Sequence, residues 1–390
     1  MLMRYRVLLG AVLMQMCLGA TYSWSVYVHP IREMTGLLQG PVQLPFTVFY
    51  FAFPAVTIVA GNILDRLGPQ RSAVTGGLLF GSGWILAGQG HVHFILTVMG
   101  IGILGGIGVG LAYMVPISVG IRWFPRSRGL VTGVSVAGFG GGAALVSQAA
   151  SLGMTRYNAT PFEVLEALGA VFLILVVLAG SQMKYPTENA NTRLKPLPIS
   201  AIVTRKTFWI LYVAMLAALA AGFAVNANLK ELSRGHNLQT GVTAVSLFAL
   251  ANASGRILWG WICDRVPPVA VVCGNLLLQS AVLLGSAVIL EKTGGPLILA
   301  LLTGLNYGGV LVIYAASAAR LWGASHVGRV YGLIFSANIP AALSPILTGM
   351  AYDRTGSFAG AMVVLSLLMS AAAGYVWVNR EALGRNRRSG

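Results

Sequence analysis

Arg256 stands inside SLFALANASGRILWGWICDR, residues 246–265, a run that is almost wholly apolar up to Asp264. A guanidinium keeps its proton at any ordinary pH and carries five N–H donors in a planar fork, so it suits a carboxylate taken two bonds at a time. At the centre of a membrane-crossing helix such a charge costs about 2.5–3.5 kcal/mol on insertion scales, and it faces protein or a wet cavity rather than lipid. The residue type and its setting therefore point to capture of an anionic group. The plainer alternative is an arginine that caps helix carbonyls or reaches the interface, because Asp264 lies only about two turns away. Asn252, four residues earlier, shares its helix face. The other polar side chains inside apolar runs are Tyr22, Tyr113, Tyr307, Tyr314, Asn338, Gln15, Gln148 and Gln279. A phenol offers an apolar wall with one hydroxyl, which suits a small organic acid; the competing role for each tyrosine is packing or interfacial anchoring.

The elements that must position these groups follow from composition. Of 390 residues, 56% are hydrophobic and only 9% charged, and the mean hydropathy is +0.77. Such a chain is a polytopic membrane protein, all-α, since only helices and closed barrels satisfy the backbone inside lipid. Twelve spans are expected, at 7–28, 43–64, 72–90, 94–121, 129–152, 162–183, 207–229, 242–263, 268–290, 296–319, 329–350 and 358–379. The Arg256 segment, Val242 to Cys263, is about 33 Å long at 1.5 Å per residue, enough to cross a bilayer. The first span is too long and continuous for the apolar region of a cleaved leader. The expected domains are a six-helix bundle over 1–183, a cytoplasmic linker over 184–206 that is polar, basic and proline-bearing, and a second six-helix bundle over 207–390.

The net charge of +16 would suggest nucleic acid in a soluble protein, but its placement suggests a membrane orientation. With both termini in the cytoplasm, the external segments hold only Arg32, Arg156, Lys230, Arg234, Lys292 and Arg354. All other lysines and arginines except Arg256 fall on the cytoplasmic side, a strong positive-inside bias. The basic tail RNRRSG fixes orientation or touches anionic lipid. Three cysteines and five histidines, scattered in apolar context, loops or span ends, form neither a disulfide framework nor a metal site. The glycine runs over Gly102–Gly110 and Gly138–Ala143 have no strand or βαβ unit around them, so they read as helix-packing surfaces rather than phosphate loops. No His, Asp, Glu or Ser–base cluster lies within a span, so an embedded enzyme is not expected and no cofactor is called for.

The two halves repeat. GNILDRLGPQR (Gly61–Arg71) follows the second span and GWICDRVPP (Gly260–Pro268) the eighth, about half a chain apart. Duplicated six-span halves are a transporter signature, with a substrate site near the midplane. GNILDRLGPQR also resembles the cytoplasmic loop motif of the major facilitator superfamily. A finer resemblance is to the oxalate/formate antiporter branch and the related monocarboxylate (lactate/pyruvate) porters. It rests on LGATYSWSVY (Leu18–Tyr27), GVGLAYMVPISVGIRWFP (Gly108–Pro125), RGLVTGVSVAGFGGG (Arg128–Gly142), NASGR (Asn252–Arg256) and GRVYGLIFSAN (Gly328–Asn338).

That resemblance implies an alternating-access carrier whose central cavity is lined by Tyr22, Tyr113 and Tyr307, with Asn252, Arg256 and Asn338 nearby. It implies gating contacts by Asp65 and Arg66 against the start of the eleventh span, and by Asp264 and Arg265 against the start of the fifth. Two departures bear on the substrate and on coupling. The oxalate exchanger carries a lysine in the eleventh span where Asn338 aligns, which leaves Arg256 as the one cation placed deep in a span. A monoanion balances one cation, whereas a dianion brings a second buried charge; one such pair is worth about 4 kcal/mol at ~4 Å and an effective dielectric near 20, before desolvation. Animal monocarboxylate transporters carry an aspartate where Asn252 stands, and an amide cannot carry the proton. Proton symport of a small monocarboxylate is expected, with the proton as coupling ion. Anion exchange of the oxalate/formate type, uniport, and a sugar or drug carrier are the alternatives. The expected partners are the small carboxylate and the lipid bilayer, with no nucleic acid, in a protein of the cell membrane working as a monomer.

Overall fold

The computed structural model describes residues 2–37, 39–42, 44–186, 197–232 and 238–384. Arg234, His236, linker residues 187–196 and tail residues 385–390 lie outside the described residues. Within them the regular structure is helical. Among the described residues, nine helical stretches are long and apolar enough to cross a membrane. One of these, Leu44–His91, contains two spans: it is broken at Gly68, whose φ of 79° and ψ of 168° are open to glycine and strained for any residue with a Cβ. Pro69 follows directly and removes a backbone donor at the break. Adding Leu238–Arg265, which holds Arg256, and Pro268–Leu284 gives the twelve segments expected.

The chain forms two compact units, one of Met1–Pro125 with Ser135–Pro196 and one of Arg126–Val134 with Leu197–Gly390. The helix Arg128–Arg156 therefore belongs to the second unit by its first two turns and to the first unit by the remainder.

Several spans are less regular than hydropathy alone suggests. The first runs as Leu2–Leu18, a 3-10 turn over Gly19–Ser23, and Ser25–Thr35, extending beyond the expected 28. The fourth contains a π-helical stretch over Val98–Gly105. The ninth breaks at Gly285 into Pro268–Leu284 and Ser286–Leu290. The eleventh is in three pieces, Val327–Phe335, Asn338–Ala341 and Ser344–Thr355. Pro340 and Pro345 account for these last interruptions, since neither supplies a helix donor and each ring crowds the carbonyl four residues back.

In the first unit the glycine run of the fourth span packs on two neighbours. A Cβ at Gly102, Gly106 or Gly110 would come 2.6–2.8 Å from Val48, Ala52 or Val56 of the second span. A Cβ at Gly108 would lie 2.6 Å from the Gly76 carbonyl oxygen of the third. This is close backbone approach, as expected of small residues in membrane helices. At one end of the unit, Arg122 stacks on the Tyr185 ring at 3.6 Å and Ser118 meets the Tyr185 hydroxyl at 3.2 Å. Trp123 Nε1 donates to the Lys184 carbonyl at 2.7 Å, so the chain leaving the sixth span is tied to the fourth.

Candidate functional site

In the second unit Arg256 is 6% exposed and Asn252 8%, one turn apart on the helix Leu238–Arg265. That helix lies backbone to backbone along Gly295–Trp322. A Cβ at Gly255 would overlap the Leu305 carbonyl, and one at Gly308 would overlap the Asn252 carbonyl. On residues 129–133 the contact is equally close. A Cβ at Gly133 would overlap the Arg256 carbonyl, and Gly129 and Gly260 exclude side chains from each other. Five glycines thus fix where the root of Arg256 sits. They do so without any side chain that could swing aside.

Tyr307 is half-buried on Gly295–Trp322. Its ring stacks with Phe248 at 6.0 Å, meets Phe223 edge-on at 6.1 Å, and rests on Gly222, where a Cβ would overlap it. Asn338 is 8% exposed at the break in the eleventh span. Its Nδ2 donates to the Phe335 carbonyl at 2.7 Å, so its amide satisfies an oxygen that the interrupted helix leaves over. Tyr314, by contrast, is completely buried.

At the end of the Arg256 helix, Asp264 takes two backbone donors. Gly129 N–H donates to Oδ1 at 2.7 Å and Leu130 N–H to Oδ2 at 2.9 Å. These are orphan amides of the first turn of Arg128–Arg156, where the helix dipole also favours a carboxylate. Arg320 closes the other side, donating to the Val266 carbonyl at 2.6 Å and the Asp264 carbonyl at 3.0 Å. Arg128 donates to the Ala319 carbonyl at 3.3 Å. Arg265 is exposed; it lies over the Trp261 ring at 4.0 Å and donates to the Trp261 carbonyl at 3.0 Å. Arg329 is 7% exposed and donates to the Leu197 carbonyl.

In the first unit Tyr22 is 41% exposed, whereas Tyr113 is 1% exposed. Phe139 joins them, edge-on to Tyr22 at 5.3 Å and to Tyr113 at 5.4 Å. Gly19 and Gly142 make this possible: a Cβ at Gly19 would overlap the Phe139 carbonyl, and one at Gly142 the Met16 carbonyl. Tyr50 meets Tyr22 at 6.0 Å, and Phe53 meets Tyr113 at 5.3 Å. Tyr22 and Tyr50 therefore present accessible ring surface, with Phe53, Tyr113 and Phe139 buried behind them. Gln15 Nε2 donates to the Tyr113 carbonyl at 3.2 Å. Asp65 and Arg66 are exposed just before the Gly68 break.

The sequence matches the model of the Major Facilitator Superfamily over residues 7–345. The chain belongs to the Major Facilitator Superfamily. It is a multi-pass membrane protein of that family's all-α fold. It is 25% identical to the oxalate:formate antiporter of Oxalobacter formigenes over 360 residues, covering 87% of this chain and 82% of that one. It is 26% identical to human monocarboxylate transporter 11 over 349 residues, covering 84% and 72%. The crystal structure of the Escherichia coli fucose:proton symporter superposes with a TM-score of 0.76 at 14% identity, covering 96% of this chain and 98% of that one.

Within this superfamily member, the candidate residues fall into separate groups. Arg256 and Asn252 share one helix turn in the second unit, and Tyr22 and Tyr113 share one aromatic cluster in the first. Phe139, Tyr50 and Phe53 were not singled out from the sequence, nor were Phe248 and Phe223. A signal existed for part of the set, since PFTVFYFAF over Pro45–Phe53 places Phe46, Phe49, Tyr50 and Phe53 at helical spacing. No such signal marks Asn275 and Asn306, whose amides bond reciprocally to each other's backbone at 2.9 and 2.7 Å. A cleft of about 260 Å³ in the second unit is lined by residues such as Leu232, Leu290, Tyr352 and Phe358 and borders none of the candidate residues. That cleft offers hydroxyls and apolar walls but no charged side chain.

Proposed function

We propose that this chain is a secondary active transporter of small monocarboxylates of the lactate and pyruvate kind, in which Arg256 takes the substrate carboxylate. The single observation that carries the reading is the burial of a permanently charged guanidinium at 6% exposure within an apolar span. An ionisable side chain held within a membrane span marks a functional site by default, and a guanidinium suits a carboxylate. The name of the Oxalobacter relative concerns two carboxylates, and that of the human relative concerns monocarboxylates. Asn338 in place of a second cation favours a monoanion over a dianion. Asn252 supplies an amide beside the guanidinium, and the phenols of Tyr22 and Tyr307 supply apolar surface with hydroxyls, Tyr113 being packed behind Tyr22.

The cycle we propose is alternating access with proton symport, both termini being cytoplasmic in the cell membrane and the monomer being the working unit. Asp65, Arg66, Asp264 and Arg265 serve as gating residues that hold and release span ends. The Asp264 carboxylate is suited to this because it is held by two amide donors that a small movement breaks together. Asp65→Asn should shift the accessibility of engineered cysteines toward the state open to the cytoplasm; unchanged accessibility contradicts the gating role. Anion exchange is the second reading, favoured by the name of the Oxalobacter relative.

Uptake into proteoliposomes across a panel of mono- and dicarboxylates tests the function. Lactate and pyruvate should accumulate, faster with an inward proton gradient, and oxalate should compete poorly. Uptake that requires an internal anion and ignores the gradient supports exchange. A protein that moves sugars while ignoring every acid refutes the proposal.

A further inference from the structure

We propose that Gly308 is a positioning residue that sets the spacing between Arg256 and Tyr307 and, through it, the length of acid the site prefers. The inference rests on the reading that Arg256 takes the carboxylate. Gly308 is the chain neighbour of Tyr307, so its contacts fix the root of that phenol. A Cβ at Gly308 would overlap the Asn252 carbonyl, lie 2.9 Å from its carbonyl carbon and lie 3.1 Å from the Arg256 amide nitrogen. All three atoms are backbone, and none can rotate aside. The ring of Tyr307 has a seat of its own, resting on Gly222 and stacking on Phe248, about two turns before Arg256 on the same helix. One tripeptide, Tyr307–Gly308–Gly309, therefore touches the turn that carries Asn252 and Arg256, the ring's own seat, and, through Gly309, the Trp259 side chain.

Contact at this point makes the span holding the charge and the span holding the phenol a fixed pair. Adding one carbon at 308 must separate the Asn252–Arg256 turn from Tyr307. A carboxylate on Arg256 would then stand farther from the phenol. Three-carbon acids would lose contact with the ring, while longer acids would regain it. A general packing defect has a different signature, because it lowers the amount of competent protein equally for every acid and leaves their ratio unchanged.

The test is the binding of 2-hydroxy acids of three, four and five carbons to purified full-length protein, measured by concentration-dependent thermal stabilisation. Gly308→Ala should weaken the three-carbon acid about tenfold or more and shift the three-to-five-carbon preference at least fivefold toward the longer acid. Gly222→Ala meets the Tyr307 ring itself rather than the Asn252–Arg256 backbone, and it should shift the same ratio even if Gly308→Ala fails to fold. Gly274→Ala, where a Cβ meets nothing within 4 Å, should change neither affinity nor ratio. Wild-type binding with an unchanged ratio in the folded variants overturns the inference alone. Absence of binding by every acid to the wild type overturns the functional reading and this inference with it.

Discussion

Arg256 could be singled out from the sequence because a guanidinium within an apolar span is costly and therefore rare. Asp264 was legible for a similar reason, as a carboxylate at a helix end, and the structure shows which amides it meets. What a side chain does locally is harder to read. Asn338 aligned with a cation position, yet its amide is engaged by the Phe335 carbonyl at a helix break that hydropathy does not reveal. Tyr113 reads as a wall residue, but at 1% exposure it lies behind Tyr22 and Tyr50. Asp264→Asn should lower the melting temperature by several degrees. It removes the charge and leaves one acceptor for two amides, a loss of about 1.5–3 kcal/mol for a charged hydrogen bond. An unchanged melting temperature would show that the two amides are satisfied without the carboxylate. Asn306→Leu should also destabilise, because it removes the Nδ2 donor to the Asn275 carbonyl and the Oδ1 acceptor beside Asn275 Nδ2, deep in the second unit where Asn275 is 1% exposed.

At the scale of elements, hydropathy located the twelve segments because the hydrocarbon thickness sets their length. Their interruptions were not located, because π turns, the Gly285 break and the three-piece eleventh span arise from proline, glycine and neighbouring helices rather than from mean apolarity. The glycine runs were legible as packing surfaces, though not which neighbour each glycine touches. Their energetic role is direct: a glycine under another backbone has no space to yield. Gly108→Val should therefore disrupt the joint between the third and fourth spans and sharply reduce folded yield, since Gly76 and Phe80 meet it through backbone atoms. Gly141→Val, with nothing within 4 Å, should be tolerated. Equal yields from the two variants would contradict the packing account.

For the whole molecule, the all-α, twelve-segment fold was readable from the apolar runs, whereas membership of the Major Facilitator Superfamily was legible only through the resemblance of GNILDRLGPQR to that family's loop motif. The aromatic cluster of the first unit was only half readable. Its rings come from four spans, and nothing in a linear sequence states that Phe139 lies between Tyr22 and Tyr113. Proximity there depends on Gly19 and Gly142 letting the first and fifth spans touch. The functional claim then reduces to whether the buried charge of Arg256 selects the substrate. The most direct measurement is equilibrium binding of radiolabelled lactate and pyruvate to purified wild type, Arg256→Lys and Arg256→Gln, each confirmed folded by its melting profile. The account predicts saturable binding to the wild type alone, because a lysine keeps the charge but loses the planar two-bond geometry. Undiminished binding by folded Arg256→Gln would contradict it.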